Sequence, residues 1–399
     1  QQLQQDPDNV NLRALDAVLD LYQGDITTAD SKLGAISGGN ANDLVLRSHA
    51  LTRLMLGDKD KAIELADAAV SLDSDNASNL IVKAYTQQAS FDIEAAHATI
   101  DQALDKQPDN TTALLIKAQL QFASGLQDDA LDTLRKARSQ VAGSQVANRK
   151  GQQSAMVENL AGFVLMSKRQ YDDALTAFAN ASKMDASLAE PHMGTGIIAM
   201  RQGDVKKALE EISTAVTLEP QRAIFLSYWG KMLYQIRRFD KALDMFAHAE
   251  KIDPKDPTPA FYRSIILRDL NRHGEAIASM NEAIAKNDNR AVYRSSFLLD
   301  EDMATRNVDL SLLYNRLGLD RWAERKAVAA IKDDYTNSSA HLFLAGALSE
   351  EEDRSFGFAS EALLARMLMP ANVNSFNTFN EYTSLFEKPE FGGTVGVAA

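Results

Sequence analysis

Apolar residues along this chain recur at spacings of three and four, and polar clusters interrupt them at regular intervals. That period puts one apolar stripe on each helix and predicts helices of about a dozen residues, joined in antiparallel pairs. The breaks carry helix-stopping and helix-starting chemistry. Gly24-Asp25, Gly57-Asp58 and Gly203-Asp204 supply a C-cap and then an N-cap, while Glu219-Pro220 and Asp253-Pro254 stop a helix.

The pattern repeats. Phe239-Asp240-Lys241-Ala242-Leu243, followed by Phe246, Ala249 and Pro254, has a counterpart about 34 residues upstream in Ala208, Ile212, Ala215 and Pro220. Tyr171-Asp172-Asp173-Ala174-Leu175, Phe178 and Ala181 lie upstream again. These residues and spacings resemble the tetratricopeptide repeat. Extending the register starts units at Asn9, Asp43, Ala77, Thr111, Ala155, Ala189, Ala223, Pro257, Ala304 and Ser338, with slips after the fourth and eighth. The first and last units are degenerate, as end repeats commonly are. Gln1–Pro7 reads as the end of a further helix.

Each repeat position has a physical reading. Ala50, Ala84, Ala118, Gly162, Gly196 and Gly230 at the eighth position let helix A approach helix B. Ala62, Ala96, Ala130, Ala174, Ala208, Ala242, Ala276 and Ala323 at the twentieth do so from helix B. Phe178, Phe246 and Met280 fill the gaps between units. Unit 223–256 fits best, and Trp229 is expected at its buried centre. The fold class expected is all-α: a right-handed superhelical solenoid of about ten helix-turn-helix units with a short non-helical C-terminal tail.

The expected divisions are N-terminal repeats 1–141, an inserted polar loop 142–154, central repeats 155–290, an inserted apolar segment 291–303, C-terminal repeats 304–370 and an aromatic, Asn-rich tail 371–399. The polar insertion reads as a solvated loop or a helix extension, or else as a partner-contact loop. The apolar one needs burial against a neighbouring repeat. In the tail, Phe376, Phe379, Tyr382 and Phe386 read as docking residues, either on the last repeat or on something beyond the chain.

Several short motifs carry a second resemblance. They are 293–302 (YRSSFLLDED), Leu313-Tyr314-Asn315-Arg316-Leu317-Gly318, Asn337-Ser338-Ser339-Ala340-His341, 376–382 (FNTFNEY) and Leu385-Phe386-Glu387. Over roughly the last hundred residues they resemble bacterial outer-membrane proteins in which periplasmic tetratricopeptide repeats precede a β-barrel. The resemblance implies a place on the periplasmic side of the outer membrane of a Gram-negative cell, and a barrel partner in cis or in trans. The cytoplasm remains the other compartment compatible with the composition. No barrel lies in this chain, although 391–399 alternates as a first barrel strand could.

Composition narrows the function. The net charge is −13, which disfavours a general nucleic-acid binder. There is no Cys, which excludes thiolate zinc, disulfides and Cys nucleophiles. No run of about 18 apolar residues predicts a transmembrane helix. The chain starts at Gln1, so a leader can have been removed. None of the six His stands in a metal-ligand spacing, and His192 and His341 fall where helix A packs. Gly194-Thr195-Gly196 is no phosphate loop, because no strand precedes it and no Lys-Ser/Thr follows. The acidic runs 300–302 and 350–353 lack calcium-loop spacing. The expectation is no enzyme, no metal and no cofactor.

In the repeat family the concave face is built largely from helix A positions 2, 5, 9, 12 and 13. Here those positions hold Tyr85, Phe122, Met156, Phe163, Met166, Met193, Met200, Tyr234 and Phe261, with Ile81, Leu115, Ile197 and Ile265 among them. The residues of a chaperone-carboxylate clamp do not line up, since Asn159 is followed at the ninth position by Phe163. Two readings remain. Either Met and aromatic side chains line an adaptable groove for a peptide or helix, or tight curvature buries them. Three functions fit: a scaffold for envelope assembly or export, the repeat component of a polysaccharide or polymer export porin, or a structural subunit of an envelope-attached assembly or filament.

Overall fold

The computed structural model describes residues 6, 9–22, 25–37, 41–90, 92–143, 147–286, 310–315, 317–333, 335, 338–349 and 355–368. Among these every regular element is an α-helix. The pairs are α1 (Val10–Tyr22) with α2 (Ile26–Ser37), α3 (Asp43–Met55) with α4 (Lys59–Leu72), α5 (Ala77–Ala89) with α6 (Ile93–Lys106), and α7 (Thr111–Ala123) with α8 (Gln127–Gly143). Then follow α9 (Ala147–Ser167) with α10 (Tyr171–Met184), α11 (Glu190–Arg201), α12 (Val205–Leu218), α13 (Ala223–Gln235) with α14 (Phe239–Ile252), and α15 (Pro257–Asp269) with α16 (His273–Ala285). After helical residues 310–315 come α17 (Asp320–Asp333), α18 (Ser338–Ser349) and α19 (Ser355–Leu368). The described residues form two compact units, one up to Gly194 and one from Thr195 onward.

The caps explain where the helices begin. Asn42, Asn76, Asn110 and Asp256 start helix A of their units, each accepting a backbone N–H with its side chain. Asp58, Asp92 and Asp204 do the same for helix B. At the far end, the backbone N–H of Glu219 and of Asp253, each just before its Pro, donates to Ala215 and Ala249.

Packing follows the repeat positions. All eight Ala at the twentieth position are buried, as are the small residues at the eighth. In the first unit, the buried Phe178 ring sits edge-on to Phe163, with centroids 5.0 Å apart. It fills the space that side chains at Gly162 and Gly194 would need: a Cβ would stand 2.5 Å from the ring at Gly162 and 2.2 Å at Gly194. In the second unit, Gly230 meets Phe246 in the same way, at 2.8 Å.

Two expectations need revision. Trp229 is only partly buried, and the fully buried aromatic beside it is Tyr228. Gly230 brings α13 onto Phe246, which leaves the preceding position at the rim of the contact. Over its described residues the stretch 142–154 is the helix extension of the two readings and not the inserted loop. Residues 142–143 end α8 and 147–154 begin α9, which lengthens these helices to 17 and 21 residues. One interior Gly costs a helix only about 1 kcal/mol, so Gly151 does not stop it. The segment 291–303, the tail 371–399 and most of Gln1–Pro7 lie outside the described residues.

The turn between helices A and B needs a left-handed residue. Gly57, Gly125, Gly203 and Gly318 supply it with φ of 76°, 75°, 81° and 68°. Arg169, Arg237 and Asn271 hold the same conformation at φ 61°, 58° and 59°, where a Cβ is strained. Arg237→Gly is therefore expected to raise stability by about 0.5–1 kcal/mol, the relieved strain exceeding the extra freedom of the unfolded chain. The urea midpoint checks it, and a fall would show that the Arg237 side chain contributes more than its strain costs.

Candidate functional site

The nine apolar positions expected to line the binding face divide by burial. Phe122, Phe163, Met166, Met193, Met200 and Phe261 are buried. Tyr85 and Tyr234 are partly exposed, and Met156 is 47% exposed. For the six buried side chains this favours burial against adjacent helices over an open groove. Tyr234 packs against the cluster that holds Phe261, and Tyr85 against the one that holds Ile81. The four tail positions Phe376, Phe379, Tyr382 and Phe386 lie outside the described residues.

The two tyrosines combine a ring with a polar end. The Tyr234 hydroxyl donates to Asp269 on the next helix A at 2.7 Å. The Tyr85 hydroxyl reaches Gln119 at 3.5 Å, and burial pushes its phenol up to about 12, so it stays a neutral donor through the physiological range.

Two polar residues at the same helix A positions escaped the sequence reading, which sought apolar side chains and a carboxylate clamp there. Gln88, at the twelfth position of its unit, is fully buried, and neither of its amide atoms meets a described hydrogen-bond partner. Lys231, at the ninth, is 1% exposed and stands 4.4 Å from the centres of both the Tyr228 and Tyr262 rings. A flattened ammonium–aromatic sandwich of this kind is a favourable place for a buried cation.

Two of the six histidines, His49 and His341, are buried in the packing. His49 is buried with its Nε2 3.1 Å from Asp30, which Arg53 also contacts at 2.8 Å. His341 is buried between Glu361 and the Tyr335 carbonyl, the latter at 2.8 Å. Among the described residues no group of three His, Asp or Glu could hold a metal ion.

A charged cluster ties helices α14, α15 and α16 together. Arg263 contacts Glu250 at 2.6 Å and also Glu282, and its Nε donates to Ser279 at 3.0 Å. Lys286 contacts Glu250 at 2.6 Å and Glu282 at 2.5 Å. Burial pushes the Glu250 carboxyl up, but the hydrogen bonds donated by Lys286 and Arg263 outweigh that and hold it at about 2. A depressed carboxyl stabilises the fold above its unfolded value and ceases to as pH falls through its folded one. Acid titration should thus lose stability progressively from about pH 4.5 towards about 2. Glu250→Gln should flatten that part of the curve, and an unchanged acid limb would remove Glu250 as its cause.

Comparison with known proteins agrees with this geometry. The tetratricopeptide repeat family is recognised at residues 82–145, 161–223, 194–257 and 229–291. The chain therefore carries tetratricopeptide repeats, within an all-α fold of stacked helix pairs. It is 31% identical over 88 residues to human tetratricopeptide repeat protein 28, a match covering 22% of this chain and 4% of that protein. It is 22% identical over 154 residues to a barley protein described as probable UDP-N-acetylglucosamine–peptide N-acetylglucosaminyltransferase SPINDLY, covering 39% of this chain and 16% of that one. The chain thus spans a small part of these relatives' length. Among solved structures, a human IFIT1 dimer with PPP-AAAA is similar at a TM-score of 0.53 and 13% identity, over 90% of this chain and 84% of that one. At that identity the likeness shows the fold alone.

Proposed function

We propose that the chain is a non-catalytic protein-interaction scaffold, the periplasmic repeat part of an outer-membrane assembly or export system. The observation that carries the scaffold reading is the run of tetratricopeptide repeats. Such repeats present successive helix A faces to a peptide or helix. Tyr85 and Met156 in the first compact unit, and Tyr234 in the second, are the members of that face open to a partner. The envelope reading is supported by the motifs at 293–302 and 376–387, which resemble those of outer-membrane proteins with periplasmic repeats. In it, the tail residues Phe376, Phe379, Tyr382 and Phe386 dock on the last repeat or on a barrel. Transferase activity is not carried over from the SPINDLY protein, because the alignment covers 16% of it.

The test is a pull-down from envelope extracts. The chain with Tyr85, Met156 and Tyr234 all changed to Ser should recover the parent's partners several-fold less well while keeping its helicity. Equal recovery overturns the binding face. In cells, the natural protein should fractionate with the outer membrane, and recovery in the cytosol overturns the location. Co-purification with a polymer synthase would instead select the polymer-export reading.

A further inference from the structure

We infer that the outward face of α17, together with the turn before it, is a docking surface for an anionic lipid surface. The inference does not depend on the helix A face.

Helix α17 turns Ala323, Ala327 and Ala330 inward, all of them buried. Its opposite side carries Arg321, Arg325, Val328 and Lys332, all exposed, with Trp322 beside them at 58% exposure. In a chain of net charge −13, three exposed cations on one face of one helix are a local reversal of sign. Glu324 pairs with Arg321 at 3.7 Å. At that spacing, with the Arg321 side chain 71% exposed, the pair is a weak one.

The turn differs from its counterparts in the same way. Elsewhere at most one neighbour of the left-handed position is apolar, as in Leu56-Gly57-Asp58 and Ser124-Gly125-Leu126, and in Gln202-Gly203-Asp204 neither is. Around Gly318 stand Leu317 and Leu319, both exposed. The Trp322 indole is not loose. Its ring meets Tyr314 edge-on, with centroids 5.6 Å apart, and this holds the indole outward. At the other end of the helix Tyr335 is exposed too, braced against His341.

Leu317, Leu319 and Trp322 at one end and Tyr335 at the other therefore bracket Arg321, Arg325 and Lys332. Indole and phenol rings sit at headgroup level, short aliphatic side chains enter the acyl boundary, and cations meet lipid phosphates. An acidic protein segment would satisfy the cations but has no matching use for apolar residues at both ends of the ridge. Among the described residues no helix is long and apolar enough to cross a membrane, so contact is along the surface.

The experiment uses the whole chain with Trp229→Phe. The sequence has two Trp, so Trp322 becomes the only indole reporter. Vesicles of about three parts phosphatidylcholine to one part phosphatidylglycerol should blue-shift its emission at low salt, and pure phosphatidylcholine should not. Changing Arg321, Arg325 and Lys332 to Gln should weaken partitioning by about a hundredfold. Replacing Arg321 and Arg325 by Lys should retain it, which separates lost charge from lost fold. Trp322→Ala should lower co-sedimentation while circular dichroism is unchanged. No shift with the anionic vesicles overturns the inference, as does an equal shift with neutral ones. A shift with soluble polyglutamate but not with vesicles also overturns it and assigns the face to an acidic protein.

Discussion

Phe178→Ala is expected to lower stability by about 3–5 kcal/mol, the range for deleting a fully buried aromatic from a packed interior. The ring has 0% exposure and fills the space left by two glycines on different helices, so its loss opens a cavity that neither α9 nor α11 can close with a side chain. The converse change tests the same contact. Gly194→Ala would place a Cβ 2.2 Å from the ring, and overpacking of that kind costs about 1–3 kcal/mol. Combined with Phe178→Ala it should cost almost nothing, because the added methyl enters the cavity. Urea midpoints of the two single variants and the double variant give the coupling directly. Simple additivity would mean that Gly194 and Phe178 do not meet.

Arg138→Ala should be the other large loss. Glu158 on α9 is buried, and its two oxygens take Arg138 of α8 at 2.6 and 2.8 Å. Removing the guanidinium leaves a carboxylate with little water to replace it. Breaking a fully buried pair costs about 3–5 kcal/mol, and the partial exposure of Arg138 brings the expectation to about 2–3. Glu158→Leu in the same chain should restore most of it, because the uncompensated charge is then gone. If the double variant is as unstable as the single, the loss is of Arg138 packing and not of the pair.

The fold was legible in the sequence because the inner repeats obey the same local rules. Ala at the twentieth position, a small residue at the eighth and an Asn or Asp cap at many of the helix starts fix both helix pairing and register without reference to distant residues. The site was less so. Helix A position predicts which way a side chain points, but not whether the next helix covers it. Phe122 and Met193 are buried while Met156, in the same class of position, is exposed. Trp229 misled for a related reason: a large residue next to Gly230 suggests a centre, yet the glycine shifts the contact to Tyr228 and Phe246. Gln88 and Lys231 were invisible to a reading that sought apolar side chains and a carboxylate clamp there. The basic face of α17 was hidden by the acidity of the whole chain, because net charge averages over a ridge of three cations.

The central claim is that the helix A face receives a protein partner, and site-directed photo-cross-linking in intact cells tests it most directly. A photoreactive phenylalanine at Tyr85, Met156 or Tyr234 should give discrete cross-linked adducts, and one at the exposed helix B positions Asp67 or Lys206 should give none. Adducts confined to Asp67 and Lys206, or no adducts from any of the five positions, would contradict it.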